Sequence, residues 1–170
     1  MTPKQARTLA AYNQWMNAKV YDQCSAMTDT ARKEDRGAFF KSIHGTLNHI
    51  LLADKVWMGR FVNQPFRVSG LDQELHTDFE ELRKDREETD IAIHNWVATL
   101  TDDALAGVLR YTSMVDPAPR QYELWLALTH FFNHQTHHRG QITTLLTQSG
   151  QDVGVTDLIW MPENIKKPGP

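Results

Sequence analysis

An all-α four-helix bundle with long crossover connections is the fold this sequence predicts, on three observations. Four long stretches carry apolar residues at spacings of three and four, the signature of amphipathic helices. The segments between them are rich in Pro, Gly, Ser or charge and are long enough to cross a bundle. Four of the eight histidines fall within residues 130–138, inside the last helical stretch. Bundle interiors are where such folds build metal sites.

At 170 residues the chain fits a single domain, 1–170, large enough for a full core. A formal net charge of −3 and the lack of a basic stripe argue against a nucleic-acid partner. One cysteine, Cys24, allows no disulfide within the chain and fits a reducing compartment. The first residues carry no apolar signal core, and no run approaches the ~18 apolar residues of a membrane span. The expected location is cytoplasmic, with no membrane partner.

The first helix starts at Thr2 as cap and Pro3 at the first helical position, then runs to about residue 27 through Leu9, Tyr12, Met16, Val20 and Cys24. On that stripe Cys24 reads as a core thiol. Residues 29–36 add a short charged turn before Gly37. A second helix is expected over 38–62, with Phe40, Ile43, Leu47, Ile50, Trp57 and Phe61 inward. His49 lies off that stripe, between small residues that leave space over the ring. Asp54 falls on the stripe, so it must be paired if buried. A Trp, Tyr or Arg partner is the plainer reading, and a role in orienting an imidazole is the functional one.

Residues 63–77 form a loop, and 78–100 a third helix with an acidic start. Its run 80–90 reads as a solvated face with pairs such as Glu80–Lys84, and His76 and His94 as surface residues. The helical period breaks over 106–120, which suits an extended crossover or hairpin. The fourth helix, 122–148, ends at Gly150. Residues 154–170 read as an irregular cap.

On the fourth helix His130, His134, His137, His138 and Gln141 share one stripe, beside an apolar stripe of Leu124, Leu128, Phe131, Ile142 and Leu146. His134 and His138 have the i, i+4 spacing that lets two imidazoles reach one ion. His130 to His138 spans about 12 Å of helix rise, too far for all three to share it, so a further ligand must come from elsewhere. His49 on the second helix is the candidate. Three imidazoles leave a coordination position open, the catalytic pattern, although histidines also occur in bundles as core or surface residues.

Three motifs carry a family resemblance: Tyr12-Asn13-Gln14-Trp15, Ser42-Ile43-His44-Gly45-Thr46-Leu47-Asn48-His49-Ile50, and Asn133-His134-Gln135-Thr136-His137-His138-Arg139-Gly140-Gln141. They resemble the DinB/YfiT-like family of metal-dependent four-helix-bundle proteins, over nearly the whole chain. Asp157-Leu158-Ile159 is similar to the family's usual ending. The resemblance implies a dimer and a divalent metal on His49, His134 and His138, and zinc or nickel is the ion expected on three imidazoles. It also implies chemistry with a low-molecular-weight thiol such as bacillithiol or mycothiol, in a thiol S-transferase. No His-Glu-x-x-His glutamate is present, which disfavours the alternative, a hydrolase using metal-bound water. A non-catalytic metal-binding bundle is the third reading. No catalytic residue is assigned.

His130 and His137 are expected not to bind the ion, with His137 hydrogen-bonding nearby or across an interface. Arg139 could hold an anionic substrate group or form a surface salt bridge. Trp15, Trp57, Trp125 and Phe132 cannot all face inward, and outward Trp125 and Phe132 support a homodimer. The alternative is that 106–120 or 154–170 folds over them.

Overall fold

Five of the helices begin where a short polar side chain accepts from one of their free N–H groups. In the computed structural model, which describes residues 1–113 and 118–165, Thr2 opens α1 (Pro3–Ser25) with a reciprocal Thr2–Gln5 capping box. Thr28 caps α2 (Asp29–Lys33), Ser42 caps α3 (Ile43–Phe61) and Asp78 caps α4 (Phe79–Ala98). Thr101 caps the short α5 (Asp102–Ala106). A hairpin follows, β1 (Val108–Thr112) antiparallel to β2 (Pro119–Glu123), and leads directly into α6 (Leu124–Gln148). Gly150, at φ 78°, closes α6 as a left-handed cap, with Gln151 N–H reaching back to Leu146 O.

α1, α3, α4 and α6 form the bundle. Around it α1 packs on α4 and α6, and α3 packs on the same two. Side-chain pairs give the directions. Asn13 meets Asp90 and Asp22 meets Arg83, so α1 and α4 are antiparallel. Asp54 meets Arg86 and Phe61 meets Trp96, so α3 and α4 run the same way. The sequential helices α3 and α4 are therefore parallel neighbours, and the chain must return the length of α3 between them. Asn48 pins that return segment, its Oδ1 accepting from Leu75 N and His76 N at 2.8 and 3.0 Å.

The core has two apolar halves, one around Met16, Leu47, Leu51, Phe79 and Ile142, the other around Ala6, Ile93, Leu128 and Phe131. Between them lies a buried polar layer. Arg86 Nη1 is 2.6 Å from Asp54 Oδ2, and Nη2 is 2.9 Å from Asp90 Oδ1. Asn13 and Asn17 donate to Asp90, and Arg139 donates to Asn13. Burial by itself disfavours the Arg86 cation, but the Asp90 and Asp54 carboxylates hold it firmly protonated. Asp54 thus has an arginine partner, the plainer of its two readings.

Several boundaries differ from the sequence expectation. α3 starts at Ile43 and not near 38, because a tight turn bridges Ala38 and Lys41, with Lys41 at φ 65°. Phe40 sits in that turn and not on the helical stripe. Run 80–90 is not a uniformly solvated face, since Arg86 and Asp90 supply the buried layer. Tyr122 belongs to β2, so α6 begins two residues later than expected. Of the 106–120 crossover, residues 114–117 lie outside the described residues, as do 166–170 of the tail. The described tail docks on α1: Tyr12 OH donates to Thr156 O at 2.5 Å, and Val153 and Met161 are buried. Cys24 is fully buried, and burial pushes its thiol up to about 12, in keeping with a core role. Among the described residues no helix is long and apolar enough to cross a membrane.

Candidate metal centre

α3 and α6 cross so that His49 faces His134 and His138. Ring centres are 4.6 Å apart for His49–His138, 5.3 Å for His49–His134 and 4.4 Å for His134–His138. One ligand nitrogen from each ring lies within 4.8 Å of the other two, a group that could hold a metal ion. Tetrahedral zinc with Zn–N bonds of about 2.1 Å needs N···N separations of about 3.4 Å. His134 Nε2 and His138 Nε2 are already 3.1 Å apart.

The neighbours fix which nitrogen faces the centre. His49 Nδ1 is 2.9 Å from Leu71 O. A carbonyl only accepts, so Nδ1 carries the hydrogen and Nε2 keeps its lone pair. His138 Nδ1 is 2.8 Å from Gln141 Oε1, the same arrangement made by a side chain one turn on. With that tautomer the His138 Nε2 lone pair faces His134 Nε2 at hydrogen-bond distance, and a cation between them would take the place of the shared hydrogen. The donor set therefore fits a divalent ion. The Leu71 carbonyl is available because the segment returning to α4 passes His49.

Electrostatics keep the rings in the ligating form. Burial, then the neighbouring imidazoles, pull His134 down to about 3. Burial likewise lowers His49 and His138 below the ordinary histidine value. All three are neutral at pH 7, as metal binding requires.

Phe40 makes one wall of the site, its ring stacked on His49 at 3.8 Å and edge-on to His138 at 5.7 Å. Gly45 permits this. A Cβ there would meet Phe40 O at 2.3 Å, so only glycine lets the 38–41 turn lie on the start of α3. Beyond Phe40 opens a pocket of about 1130 Å³ that His49, His138, Phe39, Leu71, His137 and Gln141 help to line. His44, buried at the pocket wall, holds the return segment, with Nε2 2.9 Å from His76 O and 3.3 Å from Glu74 Oε1.

The other sequence candidates fall elsewhere. His130 packs against Trp57 with ring centres 5.1 Å apart and planes tilted by 56°, its ring 6.1 Å from that of His134. His137 is exposed and meets Gln141 Nε2 at 3.4 Å, so it touches the group that orients His138. His76 is not a lone surface residue but bonds Asp85 Oδ2 at 2.8 Å, while His94 is exposed. Arg139 is neither at the pocket nor on the surface: it is 4 % exposed and turned into the bundle towards Asn13. Phe132 is not outward, since it is 4 % exposed and packs in the core half that contains Ala6 and Ala10. Trp125 is half-buried and donates to Glu123 at 2.7 Å. Gln141, Phe40 and Leu71 O were not foreseen as parts of the site. Only Gln141 left a signal, at i+3 from His138 on the histidine stripe.

Fold and site together define a four-helix bundle with a three-histidine cluster, able to hold a metal between its second and last long helices. The DinB family pattern matches residues 1–167, and the chain belongs to that family. It is similar to Protein DinB of Bacillus subtilis (strain 168), 22% identical over 152 residues that make up 88% of each protein. Its fold is similar to the crystal structure of a DinB-like protein from Bacillus cereus ATCC 10987. That match has a TM-score of 0.59 and 18% identity, covering 82% of this chain and 89% of that one.

Proposed function

We propose that this protein is a divalent-metal-dependent enzyme that transfers a small thiol to an electrophile. The observation that supports it is the set of three neutral imidazoles converging beside an open, partly aromatic pocket. Three protein ligands with a further position free is the arrangement of catalytic metal sites, whereas structural sites are closed. Zinc or nickel there would supply a Lewis acid that favours thiolate over thiol near neutral pH.

The chain's own groups do the rest. Leu71 O and Gln141 hold His49 and His138 with Nε2 presented, and Phe40 keeps water off the His49 face. Phe39 and Phe40 offer an apolar wall for an electrophile. The thiolate sulfur attacks the electrophilic carbon, the S–C bond forms, and the leaving group departs with its electron pair while the thiol proton passes to solvent. The thiol itself rests on the resemblance of the three motifs. A second reading, hydrolysis, draws on Glu74, whose carboxylate lines the pocket beside His44 and could take a proton from water.

Elemental analysis followed by a thiol-by-electrophile screen tests the proposal. Stoichiometric metal and thioether product that vanish together in His134→Ala support it. Product formed equally without thiol points to hydrolysis, and full metal content without turnover to a non-catalytic bundle. A homodimer is also proposed. It rests on the family resemblance and on exposed Ile159, Trp160 and Leu126, no longer on Phe132, and a monomer mass in sedimentation at micromolar concentration would remove it.

A further inference from the structure

Among the described residues, five arginines that leave full solvent find oxygen partners. Arg32 bonds the Cys24 and Met27 carbonyls, Arg36 pairs with Glu34, Arg83 with Asp22 and Glu87, Arg86 with Asp54 and Asp90, and Arg139 with Asn13. Arg60 departs from this pattern. It is half-buried in the last turn of α3, where the helix dipole favours a cation. Yet among the described residues its guanidinium has no hydrogen bond and no carboxylate partner. Two aromatic rings hold it instead. The guanidinium carbon lies 4.4 Å over Trp57 and 4.2 Å over Tyr111, in the corner of two rings inclined at 69°. Burial pulls Arg60 below its ordinary value, as expected for a partly desolvated cation without a counter-ion.

A planar cation fixed by its faces keeps its N–H edge for a ligand, and that edge matches the two oxygens of a carboxylate or phosphate. Its position connects it to the histidine centre. The Trp57 ring is 5.1 Å from that of His130, which is 6.1 Å from that of His134. The guanidinium is therefore three ring contacts from a candidate metal ligand. Tyr111 comes from β1, so the β1–β2 hairpin completes the arrangement.

We propose that Arg60, held by Trp57 and Tyr111, is an anion-recognition site that receives a carboxylate or phosphate on the small-molecule substrate of the histidine centre. The substrate link rests on the enzymatic reading of that centre, and the anion site does not. Binding between the fork and the anion orients the substrate along His130 towards His134. The hairpin thereby becomes a specificity element.

Two arms test this. In the first, metal-free protein is titrated with inorganic phosphate while the Arg60 Nε–Hε resonance is followed by NMR, assigned by its loss in Arg60→Gln. A saturable shift in wild type and in His134→Ala is expected, and an unchanged resonance overturns the anion site. In the second, cobalt-loaded protein is titrated with a mercaptoalkyl carboxylate, a mercaptoalkyl phosphonate and the uncharged mercaptoalcohol of equal length, read by cobalt absorption. Wild type should bind at least one charged probe about tenfold tighter than the alcohol, as a charge-assisted bond allows. Arg60→Gln should erase that preference and leave the alcohol unchanged. Arg60→Lys, which keeps the charge but not the fork, replaces Arg60→Gln if the latter does not fold. An equal preference in the variant overturns the substrate link. Failure of cobalt to bind wild type overturns the metal reading and the link together, while the phosphate arm still decides the anion site.

Discussion

Phe40 lies flat on the imidazole of His49, with ring centres 3.8 Å apart and planes 17° from parallel. The two residues belong to different local structures, a turn and a helix, and meet because Gly45 lets the turn's backbone touch α3. Gly45→Ala places a Cβ 2.3 Å from Phe40 O, which is backbone and cannot swing aside. The turn must move or the helix start must fray, at a cost of about 1–3 kcal/mol. Chemical denaturation should show that loss, together with altered His49 NMR shifts as the stack opens. Gly140→Ala is the control, since a Cβ there meets nothing within 4 Å.

His134 and His137 lie on the same helix face but differ in what they reach. His134→Ala removes a nitrogen that faces His138 Nε2 at 3.1 Å, and metal content should fall to background. His137→Ala removes only a contact to Gln141, and metal content should stay near wild type. Inductively coupled plasma analysis of both proteins decides it. Equal loss in the two would make His137 as much a ligand as His134.

Acid should weaken the fold through the same histidines. In the unfolded chain each imidazole titrates near 6.5. In the folded chain all three are depressed, His134 to about 3. The unfolded chain therefore takes up protons first. The histidine contribution is complete above about pH 6.5 and is lost as pH falls towards the folded values. Bound metal needs neutral rings, so its added stability disappears on the same side. The Tm should drop between pH 7 and 5, more steeply with metal than without, and less steeply in His134→Gln. A Tm that rises on acidification over this range would contradict the assignment.

The buried layer should be the most sensitive polar feature. Arg86→Met leaves Asp54 and Asp90, which are 1% and 4% exposed, without their cation, a loss of about 3–5 kcal/mol for a broken buried pair. Arg83→Ala breaks the partly exposed pairs to Asp22 and Glu87 and should cost under about 1 kcal/mol. Urea midpoints for the two variants give the comparison, and similar shifts would mean that the layer is already hydrated.

The sequence by itself determined the parts of this protein whose geometry is local. Helix periodicity, the Thr2 cap and the Gly150 stop gave the helices, because caps and the 3.6-residue repeat act within one turn. The i, i+4 spacing put His134 and His138 on one face, and the same rule made Asp54 a buried carboxylate in need of a partner. His49 was a candidate from the small residues around it, and motif resemblance tied it to that pair, since spacing cannot say which helix lies opposite.

Tertiary structure decided what depends on that choice of neighbour. The parallel packing of α3 and α4 forces the return segment past His49 and brings Leu71 O to it. The helix across the interface turns Arg139 towards Asn13 and buries Phe132, where the helical pattern alone read pocket or surface. Phe40 reached His49 through a left-handed residue at Lys41, a conformation that lysine does not signal. An apolar or charged face is written in the order of residues, but its partner is fixed only when the helices pack.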